Sequence, residues 1–177
     1  GVLNGKIQPG ASVAIVGAGP IGLATLLTAQ FYAPSRIILI DQDDNRLEIA
    51  RRFGATDTVN NAREDAVAQV MALTEGRGAD AVIEAVGVPA SFELCQELVA
   101  PGGTIANIGV HGRKADLHLE KLWDRNIAIT TRLVDTCTTA LLLKAVFGGK
   151  LDPAPLITHR YALDRKSTRL NSSHTDI

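Results

Sequence analysis

The chain has 177 residues, 46% hydrophobic and 21% charged, which is the composition of a soluble globular domain with one sizeable core. Its 18 basic and 19 acidic side chains give a net charge of −1, which argues against a nucleic-acid-binding or membrane-binding surface. The two cysteines, Cys95 and Cys137, stand far apart and exclude a disulfide scaffold and a structural zinc knuckle. We expect one domain in a reducing, cytoplasmic compartment, and no apolar run is long enough to span a bilayer.

Short aliphatic runs alternate with stretches of helical periodicity along the chain. The runs predict strands at residues 13–16, 37–40, 58–59, 81–83, 104–108 and 127–130. The helical stretches cover residues 21–32, 43–53, 66–74, 94–99 and 139–147. Apolar runs without strict alternation are typical of strands buried on both faces of a parallel sheet. The pattern predicts an α/β fold with a doubly wound parallel six-stranded sheet, a Rossmann fold with strand order 3-2-1-4-5-6.

The composition changes after Leu163, where polar side chains replace the aliphatic runs. Leu170 is the only apolar residue of the last segment before the terminal Ile177, so this segment has no face to bury. The run from Asp164 to His174 also resembles the translation of a sequencing adapter, which would make it non-native. We therefore assign residues 1–163 to one domain and expect a disordered tail at 164–177.

A glycine-rich stretch joins the first predicted strand to the first predicted helix. Gly17, Gly19 and Gly22 form a G-x-G-x-x-G motif directly after the first aliphatic run. The first glycine permits a tight turn, the second lets the backbone approach a pyrophosphate, and the third lets the helix pack close to the strand. Pro20 and Ile21 open the helix, whose unpaired N–H groups favour an anionic diphosphate. The motif predicts a dinucleotide site; a glycine-rich turn without a ligand is the alternative.

An acidic residue, Asp41, ends the second predicted strand. It follows Gly22 by 19 residues, close to the spacing of about 20 that is typical of a ribose-binding acid. Its carboxylate can accept hydrogen bonds from the adenosine ribose and repels a 2′-phosphate, and Asp43 and Asp44 strengthen that repulsion. NAD is therefore favoured over NADP. Arg46 is interpreted as contacting a phosphate, lying along the adenosine or facing solvent. A loop acid or helix cap is the alternative for Asp41.

Two further strand ends carry glycines, Gly87 after the fourth strand and Gly109 after the fifth. Ligands of doubly wound sheets lie at the carboxyl ends of the strands, so these turns are where a nicotinamide ring would rest. Val86 and Val110 would cover one ring face while nearby backbone groups hold the carboxamide. Ordinary tight turns between strand and helix are the alternative.

The cysteines and histidines show no pattern typical of a catalytic or metal site. Cys95 falls on an apolar helical stripe and is interpreted as a core residue. Cys137 lies near a helix start, but no histidine or second cysteine is near it in sequence. His111 follows the fifth strand and either approaches the nicotinamide edge or lies in a solvated loop. His118 and His159 lack metal-ligand spacing, so we assign no catalytic and no metal-binding residue.

Five stretches of the chain resemble the coenzyme-binding domain of zinc-dependent medium-chain alcohol dehydrogenases. They are VAIVGAGPIGLATLLTAQ, IILIDQDDNRLEIARRFGATDTVN, GADAVIEAVG, LVAPGGTIANIGVHG and GKLDPAPLITHRYALD. The resemblance covers Gly1 to Leu163. It implies hydride transfer between a small alcohol or aldehyde and NAD in a full-length protein. The residues that it implies for the coenzyme are Gly17, Gly19, Gly22, Asp41, Arg46, Val86 and Val110.

The same resemblance implies parts that this sequence does not contain. In that family a catalytic zinc and its cysteine, histidine and acidic ligands belong to a separate domain, built mainly from earlier sequence. We therefore expect a truncated chain that binds NAD(H) without turnover. The resemblance also implies a homo-oligomer that pairs the edge strand from Ile127 to Thr131.

Two other classes of function use similar features. An S-adenosylmethionine-dependent methyltransferase also has a glycine loop after its first strand and an acid after its second. A nucleotide-binding module without chemistry is the other alternative. The Gly-Pro-Ile-Gly helix start and Asp41 at ribose spacing favour the dinucleotide.

Overall fold

A six-stranded parallel sheet forms the centre of the protein, which we describe from a computed structural model over residues 1–133, 136–157 and 159–160. Its strands are β1 (Ser12–Val16), β2 (Arg36–Asp41), β3 (Asp57–Asn60), β4 (Ala79–Glu84), β5 (Val99–Asn107) and β6 (Ala128–Thr131). They lie in the order β3-β2-β1-β4-β5-β6, and every neighbouring pair is parallel. The predicted α/β class and the predicted strand order are therefore confirmed.

Helices connect the strands. They are α1 (Pro20–Ala29), α2 (Asp44–Arg52), α3 (Ala66–Leu73), α4 (Pro89–Leu98), α5 (Leu119–Leu122) and α6 (Thr139–Phe147). Aspartates at the cap positions explain two of the helix starts, because the side chain of Asp43 accepts from the N–H of Asn45 and that of Asp65 accepts from Val67 and Ala68. No helix in the described part of the chain is long and apolar enough to cross a membrane.

The aliphatic runs form strands, and both faces of the sheet that they build are covered. Val13 and Ile15 point into one hydrophobic core together with Leu26, whereas Ala14 and Val16 point into a second core on the opposite face. All four of these β1 residues are at most 3% exposed. A strand with one solvated face would need polar residues at every second position, and residues 13–16 of this strand include none.

Several predicted boundaries were wrong. Val99 begins β5 instead of closing the helix before it, because its backbone pairs with Ala79 of β4. The predicted long first helix ends at Ala29, and a single 3₁₀ turn (Gln30–Tyr32) carries the chain to Ala33, whose φ of 47° is left-handed. The strand predicted to end at Ile108 ends one residue earlier, at Asn107. The short helix α5 was not predicted.

The division into a domain of residues 1–163 and a tail of residues 164–177 stays a prediction. Both the boundary at Leu163 and the whole of the tail lie outside the described residues.

Candidate functional site

The residues singled out from the sequence lie at the carboxyl ends of four neighbouring strands. Gly17 follows β1, Asp41 is the last residue of β2, Glu84 is the last residue of β4, and Gly109 comes two residues after β5 ends. Because these strands are parallel, all four ends lie at the same edge of the sheet. The order in which successive strands are added to the sheet reverses between β1 and β4, and doubly wound folds bind ligands at that position.

The glycine loop has the geometry that its motif predicts. Gly17 has a φ of +104°, which a residue with a Cβ rarely adopts. A Cβ on Gly22 would overlap the carbonyl oxygen of Gly17, so this glycine allows α1 to pack against the end of β1. A Cβ on Gly19 would meet nothing within 4 Å. The space in front of Gly19 is therefore open, as a bound pyrophosphate would require.

Helix α1 begins at this open space. Gly19 is its cap residue and Pro20 its first helical residue, and among the described residues no side chain caps its start. The first N–H groups of a helix have no partner within the helix, and the helix dipole places partial positive charge beside them. The start of α1 therefore suits an anionic group.

The side chain of Asp41 is hydrogen-bonded to the glycine loop. Its Oδ2 accepts a hydrogen bond from the N–H of Ala18 at 2.7 Å, and its Oδ1 accepts from the N–H of Asp43 at 3.0 Å. Each carboxylate oxygen can accept a second hydrogen bond. The side chain remains 12% exposed, so both oxygens are held in place at the rim of the site while keeping acceptor capacity.

Arg46 lies beside the acidic cluster that follows β2. Its guanidinium is 4.0 Å from Asp41 Oδ2 and 4.0 Å from Asp43 Oδ2, and its side chain is half exposed. At these distances the pairs are weak and open to solvent. Arg46 is thus placed near the predicted ribose position, with its charge partly balanced by two carboxylates.

The two turns on the other half of the sheet contact each other and the glycine loop. A Cβ on Gly17 would come within 2.7 Å of Val86 Cγ2, and a Cβ on Gly87, whose φ is +90°, would collide with the backbone of Val110. Val86 is 49% exposed and Val110 is 84% exposed. The turns are therefore packed side by side, and each presents an apolar side chain to the open edge.

Glu84 was missed as a site residue by the sequence analysis. It is fully buried, and its Oε1 accepts hydrogen bonds from the N–H of Val86 at 2.9 Å, from the N–H of Gly87 at 2.8 Å and from the Ser91 hydroxyl at 2.6 Å. Burying a carboxylate is costly unless hydrogen bonds compensate it. The signal available in the sequence for this site residue was an acidic residue at the end of an apolar strand, directly before a glycine turn.

His111 turns inward, so its interpretation as a solvated loop histidine was wrong. Its side chain is 18% exposed, and its Nε2 lies 2.9 Å from Asn107 Oδ1 and 3.3 Å from Glu84 Oε2. The ring also packs edge-on against Phe92, with 6.1 Å between the ring centroids. Both neighbours of Nε2 are acceptors. Glu84 Oε2 is a carboxylate oxygen, and Asn107 turns its Oδ1 toward the ring because its amide N–H donates to Gly109 O. Nε2 therefore carries a proton, and the buried Nδ1 makes no hydrogen bond within the described residues.

The two cysteines have different surroundings. Cys95 is fully buried in the second core, and burial followed by the negative charge of Glu84 raises the pKa of its thiol well above its usual range. Cys137 is exposed before α6, and Arg132 donates to its Sγ at 3.8 Å. His118 pairs with Glu120. Over residues 1–133, 136–157 and 159–160, no group of three or more His, Cys, Asp and Glu side chains is placed to hold a metal ion.

Comparison with known proteins gives consistent matches. Residues 20–143 match a family model described as zinc-binding dehydrogenase. An alcohol dehydrogenase of Cupriavidus necator is 38% identical over 168 residues, which cover 93% of this chain and 46% of that protein. The NADP-dependent isopropanol dehydrogenase of Thermoanaerobacter brockii is 35% identical over 159 residues, which cover 86% of this chain and 45% of that protein.

A solved structure is also similar. The zinc dependent alcohol dehydrogenase 2 from Streptococcus pneumonia, in its apo form, is 56% identical and superimposes with a TM-score of 0.85. The match covers 86% of this chain and 45% of that one. The chain therefore spans about half the length of the relatives that it matches.

Proposed function

Since the chain belongs to the zinc-binding dehydrogenase family, we propose that it is the coenzyme-binding domain of an alcohol dehydrogenase-type oxidoreductase and that its coenzyme is NAD(H). The observation that carries this proposal is the meeting of the open glycine loop and the Asp41 carboxylate at one edge of the sheet. A dinucleotide has a diphosphate beside a ribose, and these two features suit the two groups in that order.

The loop and the helix start would hold the diphosphate. Gly19, Pro20, Ile21 and Gly22 surround the open space at the start of α1, where backbone N–H groups and the helix dipole favour negative charge. Asp41 would accept hydrogen bonds from the ribose hydroxyls with the acceptor capacity that Ala18 and Asp43 leave. Each such charge-assisted bond contributes about 1.5–3 kcal/mol.

The preference for NAD over NADP rests on charge. The additional 2′-phosphate of NADP would meet the carboxylates of Asp41, Asp43 and Asp44, which lie at the end of β2 and the start of α2. Arg46 offsets this charge only in part, because it already lies between Asp41 and Asp43. One relative is named as NADP-dependent, so the coenzyme has to be measured on this chain itself.

The second half of the edge would take the nicotinamide. Val86 and Val110 would cover a ring face, and the backbone of the turns at Gly87 and Gly109 would contact the carboxamide. The contact between these two turns supports this assignment over two unrelated tight turns.

The reaction proposed for a whole protein is hydride transfer between a small alcohol or aldehyde and NAD. Zinc, which the family description names, would polarise the alcohol oxygen, and a catalytic zinc takes three protein ligands. The residues that the structure describes do not fit this metal, because they bring no such group together. We therefore limit the proposal for this chain to coenzyme binding without turnover. A cytoplasmic location and a homo-oligomer formed through the β6 edge belong to the same proposal.

Fluorescence titration tests the coenzyme directly. The full chain is titrated with NADH, with NADPH and, in competition, with S-adenosylmethionine. Saturable binding of NADH that S-adenosylmethionine does not displace supports the proposal. Binding of S-adenosylmethionine without binding of NADH would replace it with the methyltransferase alternative.

A further inference from the structure

Glu84 lies where the two turns of the second half of the edge meet, and we propose that it is the positioning residue for the nicotinamide half of the coenzyme. This inference rests on the proposed function, because it assigns a role within the same site. Glu84 itself is fully buried and does not line the open edge. It would act through the backbone that it holds.

One oxygen of Glu84 shapes the turn after β4. Oε1 accepts from the consecutive N–H groups of Val86 and Gly87 and from the hydroxyl of Ser91. Ser91 lies in the first turn of α4, so this single oxygen joins the end of β4, the turn and the start of the next helix. The turn cannot shift without breaking hydrogen bonds in a buried place, where an unpaired group is costly.

The other oxygen of Glu84 faces the turn after β5. Oε2 lies 3.3 Å from His111 Nε2, and a Cβ on Gly109 would overlap Oε2. The backbone supports the same connection, because the N–H groups of Ile108 and Gly109 both donate to the carbonyl oxygen of Glu84. Glu84 therefore fixes the distance between the turns that carry Val86 and Val110.

The side-chain hydrogen bonds of Glu84 are confined to one half of the site. The glycine loop and Asp41 are held by a separate set of hydrogen bonds, from Gly17 N to Ile40 O and from Ala18 N to Asp41 Oδ2. Glu84 takes no part in either. A change at Glu84 should therefore alter nicotinamide binding while leaving the binding of the adenosine and diphosphate groups unchanged.

Two variants, at Glu84 and at His111, test the link between the turns from its two sides. In Glu84→Gln the amide oxygen can still accept from Val86 and Gly87, but the amide nitrogen would face the Nε2 of His111, which is itself a donor. The side-chain link to the second turn is then lost, while the first turn keeps its hydrogen bonds and the backbone bonds from Ile108 and Gly109 remain. His111→Ala removes the same side-chain link from the other side, at a partly exposed position.

A matched control lies on the same strand. Asp80, at the opposite end of β4, is a part-buried carboxylate whose Oδ2 accepts from the N–H and the hydroxyl of Ser12. Asp80→Asn perturbs a similar network far from the site. We expect it to lower the unfolding temperature without changing coenzyme selectivity.

The experiment compares NADH with ADP-ribose, which lacks the nicotinamide. Dissociation constants of both ligands are measured for the full chain and for Glu84→Gln, His111→Ala and Asp80→Asn. The unmutated chain should bind NADH more tightly than ADP-ribose. Glu84→Gln and His111→Ala should reduce that ratio by roughly three- to tenfold, the effect of losing about one hydrogen bond, and should shift NADH emission toward that of the free coenzyme.

Each other outcome is informative. The positioning role would be overturned, with coenzyme binding intact, by equal affinity of the unmutated chain for NADH and ADP-ribose. An equal loss of affinity for both ligands in Glu84→Gln and His111→Ala would overturn it as well. Failure of the unmutated chain to bind either ligand would instead contradict the proposed function. If Glu84→Gln does not fold, His111→Ala alone decides the question.

Discussion

The carboxylate of Asp41 accepts a hydrogen bond from the backbone N–H of Ala18, with 2.7 Å between Oδ2 and the nitrogen. The acid expected to bind the ribose therefore also holds the loop expected to bind the diphosphate. These two parts of the site are coupled, because a change of side chain at Asp41 alters both.

Replacing Asp41 should weaken coenzyme binding and relax its selectivity. Asp41→Ser removes one or two charge-assisted hydrogen bonds to the ribose and a negative charge near the 2′ position, so NADH affinity should fall by roughly one to two powers of ten. The gap between NADH and NADPH should narrow at the same time. Fluorescence titration with both coenzymes measures this, with Asp80→Asn at the opposite end of β4 as control. Equal affinity of the unmutated chain for NADH and NADPH would refute the assignment.

Two glycines of the same motif should respond differently to alanine. Gly19 faces open space with a φ of −71°, so Gly19→Ala should fold normally but obstruct the diphosphate. Gly22 packs against the carbonyl oxygen of Gly17, so Gly22→Ala should destabilise the fold by about 1–3 kcal/mol. Thermal unfolding and NADH titration of both variants separate the effects. Unimpaired NADH binding by Gly19→Ala would place the diphosphate elsewhere.

The edge strand β6 should mediate self-association. Among the described strands it pairs only with β5, so its other side presents unpaired backbone groups. Ile129 on this strand is 36% exposed. Ile129→Pro should remove a backbone donor and move a dimer toward monomer in light scattering, with circular dichroism confirming that the sheet remains. An unmutated chain that stays monomeric at high concentration would rule out this interface.

This chain should bind the coenzyme without oxidising alcohols. The described residues bring no set of metal ligands together, and Val86 and Val110 are open to water, where solvent weakens catalytic interactions. The chain is purified with added zinc, and NADH binding is measured beside NAD reduction with a panel of small alcohols. Zinc-dependent turnover that a chelator abolishes would show that the chain carries a metal site of its own.

The sequence by itself determined the α/β class and the strand order, and it predicted the glycine loop and Asp41 as the first half of the candidate site. Runs such as residues 37–40 are apolar at every position, as a strand covered on both faces requires. The glycine motif and Asp41 were also readable, because a tight turn, a close approach and an acid at a strand end depend on residues within one strand–helix–strand unit.

Only the tertiary structure decided the roles of Glu84, His111 and Val99. Glu84 and His111 are 27 residues apart, and their contact exists because β4 and β5 pair in one particular register. Val99 directly follows α4 in the sequence, and its assignment to β5 follows from pairing with Ala79. Local pattern records the propensity and burial of a segment. It does not record which distant backbone will satisfy a hydrogen bond, and that depends on how the strands assemble.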